Sequence, residues 1–164
     1  MLLRLTCLLL LSLCPVLPAW AADPALAEVR PGLYAGGQPT AAQLRGLAAQ
    51  GVRTVIDLRQ PDEDRGFDEI REAEALGLRY VRIPVAGAEG LDAANVRAVH
   101  QALQQSQGPV LLHCASGNRA GALLALLQAR EGASVEDALT FGRAAGMTSL
   151  EAPTRVLLEQ DAAR

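Results

Sequence analysis

Pro109-Val110-Leu111-Leu112-His113-Cys114-Ala115-Ser116-Gly117-Asn118-Arg119-Ala120-Gly121 is the stretch around which the chain is organised. The apolar run Pro109 to Leu112 predicts a short strand, and Ala120 to Leu127 reads as an apolar helix. A tight polar loop joins them. Such a junction aims backbone N–H groups at one spot, with the positive end of the helix dipole behind them, and so suits an oxyanion. A cysteine opens the loop and an arginine closes it. A thiol at a helix N-terminus beside a cation is favoured as the nucleophilic thiolate. Arg119 offers a planar fork to two oxygens of a phosphate or a sulfur oxyanion. Nucleophile, anion cradle and charge clamp fall within six residues, as expected of a catalytic site.

Outward from this stretch the chain alternates between strand and helix signals. Gly32 to Ala35 predicts a strand, ended by the turn Gly36-Gly37-Gln38-Pro39. Thr40 with Gln43 forms a capping box for a helix that Gly51 stops. Val52 to Leu58 is apolar and β-branched, a second strand. Phe67, Ile70, Ala73 and Leu76 set a helical rhythm closed by Gly77. Arg79 to Val85 makes a third strand. Asp92 caps a helix striped by Val96, Val99, His100 and Leu103, and the Val110 strand follows. Helices are expected from Arg119 to about Arg130, from Ser134 to about Ala145, and from about Glu151 to Asp161. Ala22 to Pro31 reads as an irregular lead-in.

This order predicts an α/β fold, a mostly parallel central sheet of about four strands flanked by helices. Ligands of such sheets sit beyond the C-terminal strand ends. Three loops should therefore converge there: Arg59 to Gly66, Ala86 to Leu91, and Cys114 to Arg119.

Residues 1–21 read as a secretory signal peptide. Arg4 supplies the positive start, Leu5 to Leu13 the apolar core, and Ala19-Trp20-Ala21 the cleavage site. The expected location is periplasmic or secreted. Residues 22–164 then form a single domain with no membrane insertion after cleavage. That part carries 14 arginines against 18 acidic residues and no lysine, a net charge of −4. The balance points to no nucleic-acid partner. Cys7 and Cys14 leave with the leader, so Cys114 has no internal disulfide partner.

The chain resembles the bacterial beta-lactamase-hydrolase-like group of phosphatase-like proteins, relatives of the dual-specificity and tyrosine phosphatases. Four segments carry the likeness: Tyr34-Ala-Gly-Gly-Gln-Pro39, Val55-Ile-Asp-Leu-Arg59 with acids after it, Tyr80-Val-Arg-Ile-Pro-Val85, and His113-Cys114 to Arg119. The resemblance implies a tyrosine/dual-specificity phosphatase-like fold and phosphoester hydrolysis through a phosphocysteine on Cys114. It implies that Arg119 binds the equatorial oxygens and that Ala115, Ser116, Gly117, Asn118 and Arg119 form the substrate cradle. His113 would support the loop. The substrate would be a phosphorylated small molecule or a phosphoprotein, with no cofactor and no metal.

Two departures stand out. Tyrosine and dual-specificity phosphatases place five residues between cysteine and arginine, whereas this chain has four, the length used by rhodanese-type sulfurtransferases. The hydroxyl usual just after the arginine is replaced by Ala120, although Ser116 offers one inside the loop. The general acid that protonates the leaving oxygen is expected on the segment after the third strand, where Asp92 is preferred to Glu89. Asp57, Asp62, Glu63 and Asp64 read as a solvated, salt-bridged loop around Arg59 and Arg65. His100 reads as a core histidine. Two alternatives to phosphoester hydrolysis stand beside it: sulfur transfer through a Cys114 persulfide, and an oxyanion-binding module without catalysis.

Overall fold

The computed structural model describes residues 26–163. The expected leader lies outside the described residues. Five strands, β1 (Leu26–Arg30), β2 (Leu33–Gly36), β3 (Thr54–Asp57), β4 (Arg79–Arg82) and β5 (Val110–His113), form one sheet in the order β1-β2-β5-β3-β4. Four are parallel, as alternation with helices requires, and β1 pairs antiparallel on the β2 edge. The expected mostly parallel sheet of about four strands is borne out, with β1 added as a fifth, antiparallel strand at its edge. Leu26–Arg30 was expected to be irregular. Its polar residues are tolerated because an edge strand leaves part of its surface in water.

The helices are α1 (Ala41–Ala49), α2 (Glu69–Ala75), α3 (Ala93–Gln104), α4 (Asn118–Arg130), α5 (Val135–Ala144) and α6 (Glu151–Ala162). Local sequence starts most of them. Thr40 and Gln43 close a capping box, and Asp68, Asp92 and Ser134 each accept an amide three residues on. Each such cap contributes about 1 kcal/mol. His100 is corrected: it is half-buried on the outer side of α3, facing Gln104 rather than the core.

The pleat sorts the strand side chains between two cores. Leu33, Ala35, Ile56, Val110, Leu112 and Cys114 pack on the side of α3 and α4, where the larger cluster lies. Val55 and Leu111 point the other way, into a smaller core with Leu44, Leu47 and Ala73 of α1 and α2. Ala120 to Leu127 are all buried, so α4 is a central helix enclosed on every side. Successive residues of β5 therefore belong to opposite faces. His113 is turned toward α2 and Cys114 toward α4.

Candidate active site

The ends of three parallel strands are level: Gly36 pairs with His113 and His113 with Asp57. The Cys114 loop rises from this row. Its backbone is pinned from the β2 side by Gln38 N–H donating to the Ala115 carbonyl (3.0 Å) and by a bridge between Gly37 and Ser116. Gly117 caps α4 at φ +89°, a left-handed conformation open to glycine. A Cβ there would also stand 3.1 Å from the Gly36 carbonyl carbon and 3.3 Å from Gly146 Cα. The turn is therefore packed backbone against backbone.

That turn directs the Gly117 N–H onto Cys114 Sγ at 3.2 Å. The sulfur thus sits at the start of α4, whose first-turn amides have no helical acceptor. Cys114 is buried at the base of the loop, while Ala115 and Ser116 are exposed at its rim. The Asn118 side chain turns away from the cradle. It donates to Ser149 Oγ and accepts the Thr148 and Leu150 amides, tying the loop to the α5–α6 connection.

Arg119 is held by groups that the solvated-loop reading overlooked. Its NH1 and NH2 donate to Glu63 Oε1 (2.5 Å) and Oε2 (2.6 Å), and NH1 also donates to the carbonyl of Val85 at 3.0 Å. The Leu58 carbonyl lies 3.4 Å from the same nitrogen. Glu63 is fixed in turn, since its Oε1 accepts the Gln60 amide and Arg65 braces the loop through the carbonyls of Gln60, Pro61 and Glu63. Arg119 thus joins the Cys114–Arg119 loop to the Arg59–Gly66 loop through Glu63 and reaches the carbonyl of Val85, the residue before the Ala86–Leu91 loop.

A guanidinium has five N–H donors. These contacts occupy the NH1/NH2 end and leave the Nε–H and the neighbouring NH2–H along one edge. The hydrogen bonds with Glu63 raise the Arg119 pKa above its ordinary value, against desolvation, and the Cys114 sulfur adds to the rise. The same hydrogen bonds hold the Glu63 carboxyl below the usual carboxylate range. The site therefore presents a sulfur, a helix N-terminus and a fixed two-donor cationic edge around one spot.

A family model described as "DSP-PTPase phosphatase fused to NAD+ Kinase" matches residues 21–163. The chain belongs to that DSP-PTPase phosphatase family. Among relatives of this phosphatase domain, the beta-lactamase hydrolase-like protein of Agrobacterium fabrum is 37% identical over 139 residues, covering 80% of this chain and 31% of its own length. The chain thus spans about a third of that relative. Dual specificity protein phosphatase 26 of Bos taurus is 35% identical over 104 residues, 60% of this chain and 48% of its own. The crystal structure of a putative phosphatase from Neisseria meningitidis superposes with a TM-score of 0.69 at 27% identity, covering 84% of this chain and 96% of that one. The resemblance carried by the four sequence segments is borne out, as is the phosphatase-like α/β fold.

Within this phosphatase domain, the structure does not bring Asp92 to the cysteine. Its Oδ1 accepts the Asn95 amide (2.8 Å) as the cap of α3. It lines a groove with Leu126 and Arg130, about 12 Å or more along α4 from Asn118 at 1.5 Å per residue. A side chain fitted to cap a helix is thereby committed elsewhere. Glu89 is exposed on the Ala86–Gly90 turn.

Asp57 and Arg59 are corrected from solvated to fully buried. Arg59 Nε and NH2 donate to the two Asp57 oxygens at 2.9 and 3.0 Å, and NH2 also donates to Glu69 Oε2. Burial alone would push the Asp57 carboxyl up. The hydrogen bonds from Arg59 and Tyr80 and the field of His113 outweigh it and bring the pKa down to about 2. Asp57, Glu69 and His113 stand close enough to share an ion. The guanidinium of Arg59 already bonds both carboxylates and supplies the positive charge there, so the donor set does not fit a metal.

Proposed function

We propose that this chain is an exported, cysteine-dependent phosphatase acting through a phosphocysteine intermediate. The observation that carries the reading is the arrangement of Cys114 Sγ on the Gly117 amide at the start of α4, with the guanidinium of Arg119 interacting with the same sulfur. In this reading the Cys114 sulfur attacks phosphorus as Arg119 and the loop amides hold the equatorial oxygens. The S–P bond forms as the P–O ester bond breaks, and the leaving oxygen departs as the aryl oxide anion, which takes its proton from bulk water. Water then attacks phosphorus, releasing inorganic phosphate and returning the thiolate. The leader-like residues 1–21 support a periplasmic or secreted location, tested by the N-terminal mass of the protein recovered from the periplasmic fraction.

The substrate class follows from the acid. Asp92 caps α3 and Glu63 is bonded to Arg119, so neither is placed to hand a proton to a poor leaving group. The site is therefore suited to phosphoesters whose leaving oxygen departs as a stabilised anion, as in an aryl phosphate. Sulfur transfer through a Cys114 persulfide is kept as the second reading because four residues, not five, separate Cys114 from Arg119.

One paired assay on the reduced protein separates them. Release of phosphate from an aryl phosphate and transfer of sulfur from thiosulfate to cyanide are followed side by side, each with Cys114→Ser. Phosphate release that disappears in Cys114→Ser is the expected result. Cys114-dependent sulfur transfer alone would replace the phosphatase reading. Blank turnover with oxyanion-induced thermal stabilisation would leave a binding module.

A further inference from the structure

Beneath the Cys114 loop, on the α2 face of the sheet, lies a charged cluster that phosphoryl transfer does not use. Asp57, Arg59, Glu69 and His113 are all fully buried. Two carboxylates face one guanidinium, and Tyr80 donates its hydroxyl to Asp57 Oδ2. Burial and the Asp57 carboxylate push the Tyr80 phenol up, so it stays neutral. Arg65 reaches the cluster only from its margin, with Nε 4.0 Å from Asp57 Oδ2, and its hydrogen bonds go to loop carbonyls. A net negative charge would remain, and an uncompensated buried charge is costly.

His113 is the remaining titratable side chain of the cluster. Its Nε2 stands 3.0 Å from Glu69 Oε1, an ion-pair distance at an angle outside regular hydrogen-bond geometry. Its Nδ1 faces the Cys114 carbonyl oxygen at 3.3 Å. Both neighbours are acceptors. A neutral imidazole has one donor nitrogen and one acceptor nitrogen, so it would set a lone pair against one of them. A ring protonated on both nitrogens sets a donor against the Cys114 carbonyl and a positive charge against the Glu69 carboxylate, and so neutralises the cluster.

We propose that Glu69 is a positioning residue for the nucleophile, holding His113 as a doubly protonated ring whose Nδ1–H fixes the Cys114 carbonyl. The pleat puts His113 and Cys114 on opposite faces of the sheet, so this carbonyl is the contact through which the ring reaches the loop. Arg59 braces the arrangement by bonding Glu69 through the other carboxylate oxygen. The inference rests on the reading of Cys114 as nucleophile.

The first arm of the test needs no variant in the cluster. Long-range proton–nitrogen NMR is recorded at pH 7 on the full chain with nitrogen-15 histidine, using His100→Gln to assign the other histidine. Two protonated ring nitrogens at His113 are expected. A single neutral tautomer would overturn the proposal. The second arm uses Glu69→Gln, which keeps the size of the side chain and removes its charge. Alkylation by iodoacetamide, followed at the Cys114 peptide by mass spectrometry, should shift its pH midpoint upward. The kcat for an aryl phosphate should fall about tenfold with KM within about threefold. An unchanged alkylation midpoint would also overturn the proposal. If Glu69→Gln fails to fold, the NMR arm decides alone. Absent turnover in the unmodified protein would sink the phosphatase reading, while the NMR and alkylation results would still judge this one.

Discussion

Glu63 grips Arg119 end-on, with one carboxylate oxygen on each terminal guanidinium nitrogen, 56 residues apart in the chain. A charge pair in this geometry orients rather than blocks, because the donors it uses are not those on the edge beside Cys114. Under the proposed phosphatase reading, Glu63 is thus a positioning residue for Arg119.

Replacing Glu63 by Ala should release the guanidinium. The expected result is a rise of about tenfold in KM for an aryl phosphate, equivalent to about 1.4 kcal/mol, with a smaller change in kcat. Steady-state kinetics decide it. A fall in KM would mean instead that the carboxylate competes with substrate for Arg119.

Acid should act on the buried cluster. The Asp57 pKa is lowered from 3.8 to about 2 in the folded chain. A depressed carboxyl contributes stability that is fully present above its unfolded pKa and lost as pH falls through the folded one. The contribution is about 2 kcal/mol, lost between about pH 4 and pH 2. Urea unfolding across that window should show the loss, and Asp57→Asn should flatten it. A wild-type profile without that decline would contradict the assignment.

Asp92 should separate capping from catalysis. Asp92→Ala removes the α3 cap and should lower stability by about 1 kcal/mol, while Asp92→Asn should preserve it. Aryl phosphate hydrolysis should stay within about threefold of wild type in both. A hundredfold loss in Asp92→Asn would restore the carboxylate as general acid.

Gly121 marks the tightest contact behind the loop. A Cβ there would overlap the Gly142 carbonyl oxygen and stand 2.5 Å from the Met147 nitrogen. Gly121→Ala should therefore destabilise by about 1–3 kcal/mol or more despite the better helix propensity of alanine. Thermal unfolding checks it, and an unchanged midpoint would mean that α4 and α5 separate easily.

What could be read from sequence was what is local. The strand, loop and helix around Cys114 announce themselves through an apolar run, a glycine turn and an arginine six positions into the loop. The capping residues Thr40, Asp92 and Ser134 lie beside the helices they start. The edge strand Leu26–Arg30 was missed because Glu28 and Arg30 interrupt its apolar residues. Asp57 and Arg59 look like any exposed ion pair until α2 and Tyr80 close over them. Nothing near Glu63 distinguishes it from Asp62 and Asp64, since its partner Arg119 lies 56 residues further along the chain. Asp92 misled for the opposite reason: a good cap and a candidate acid share one residue type.

The backbone-to-backbone seating of Gly117 against Gly36 and Gly146 separates two duties within one loop. Main-chain atoms hold its shape, while the side chains of Ala115 and Ser116 stand exposed at the rim. Those two positions can therefore be varied without unseating the cradle. A library randomised at 115 and 116 should retune substrate preference while leaving folding intact, which makes the loop a natural starting point for redirecting the enzyme.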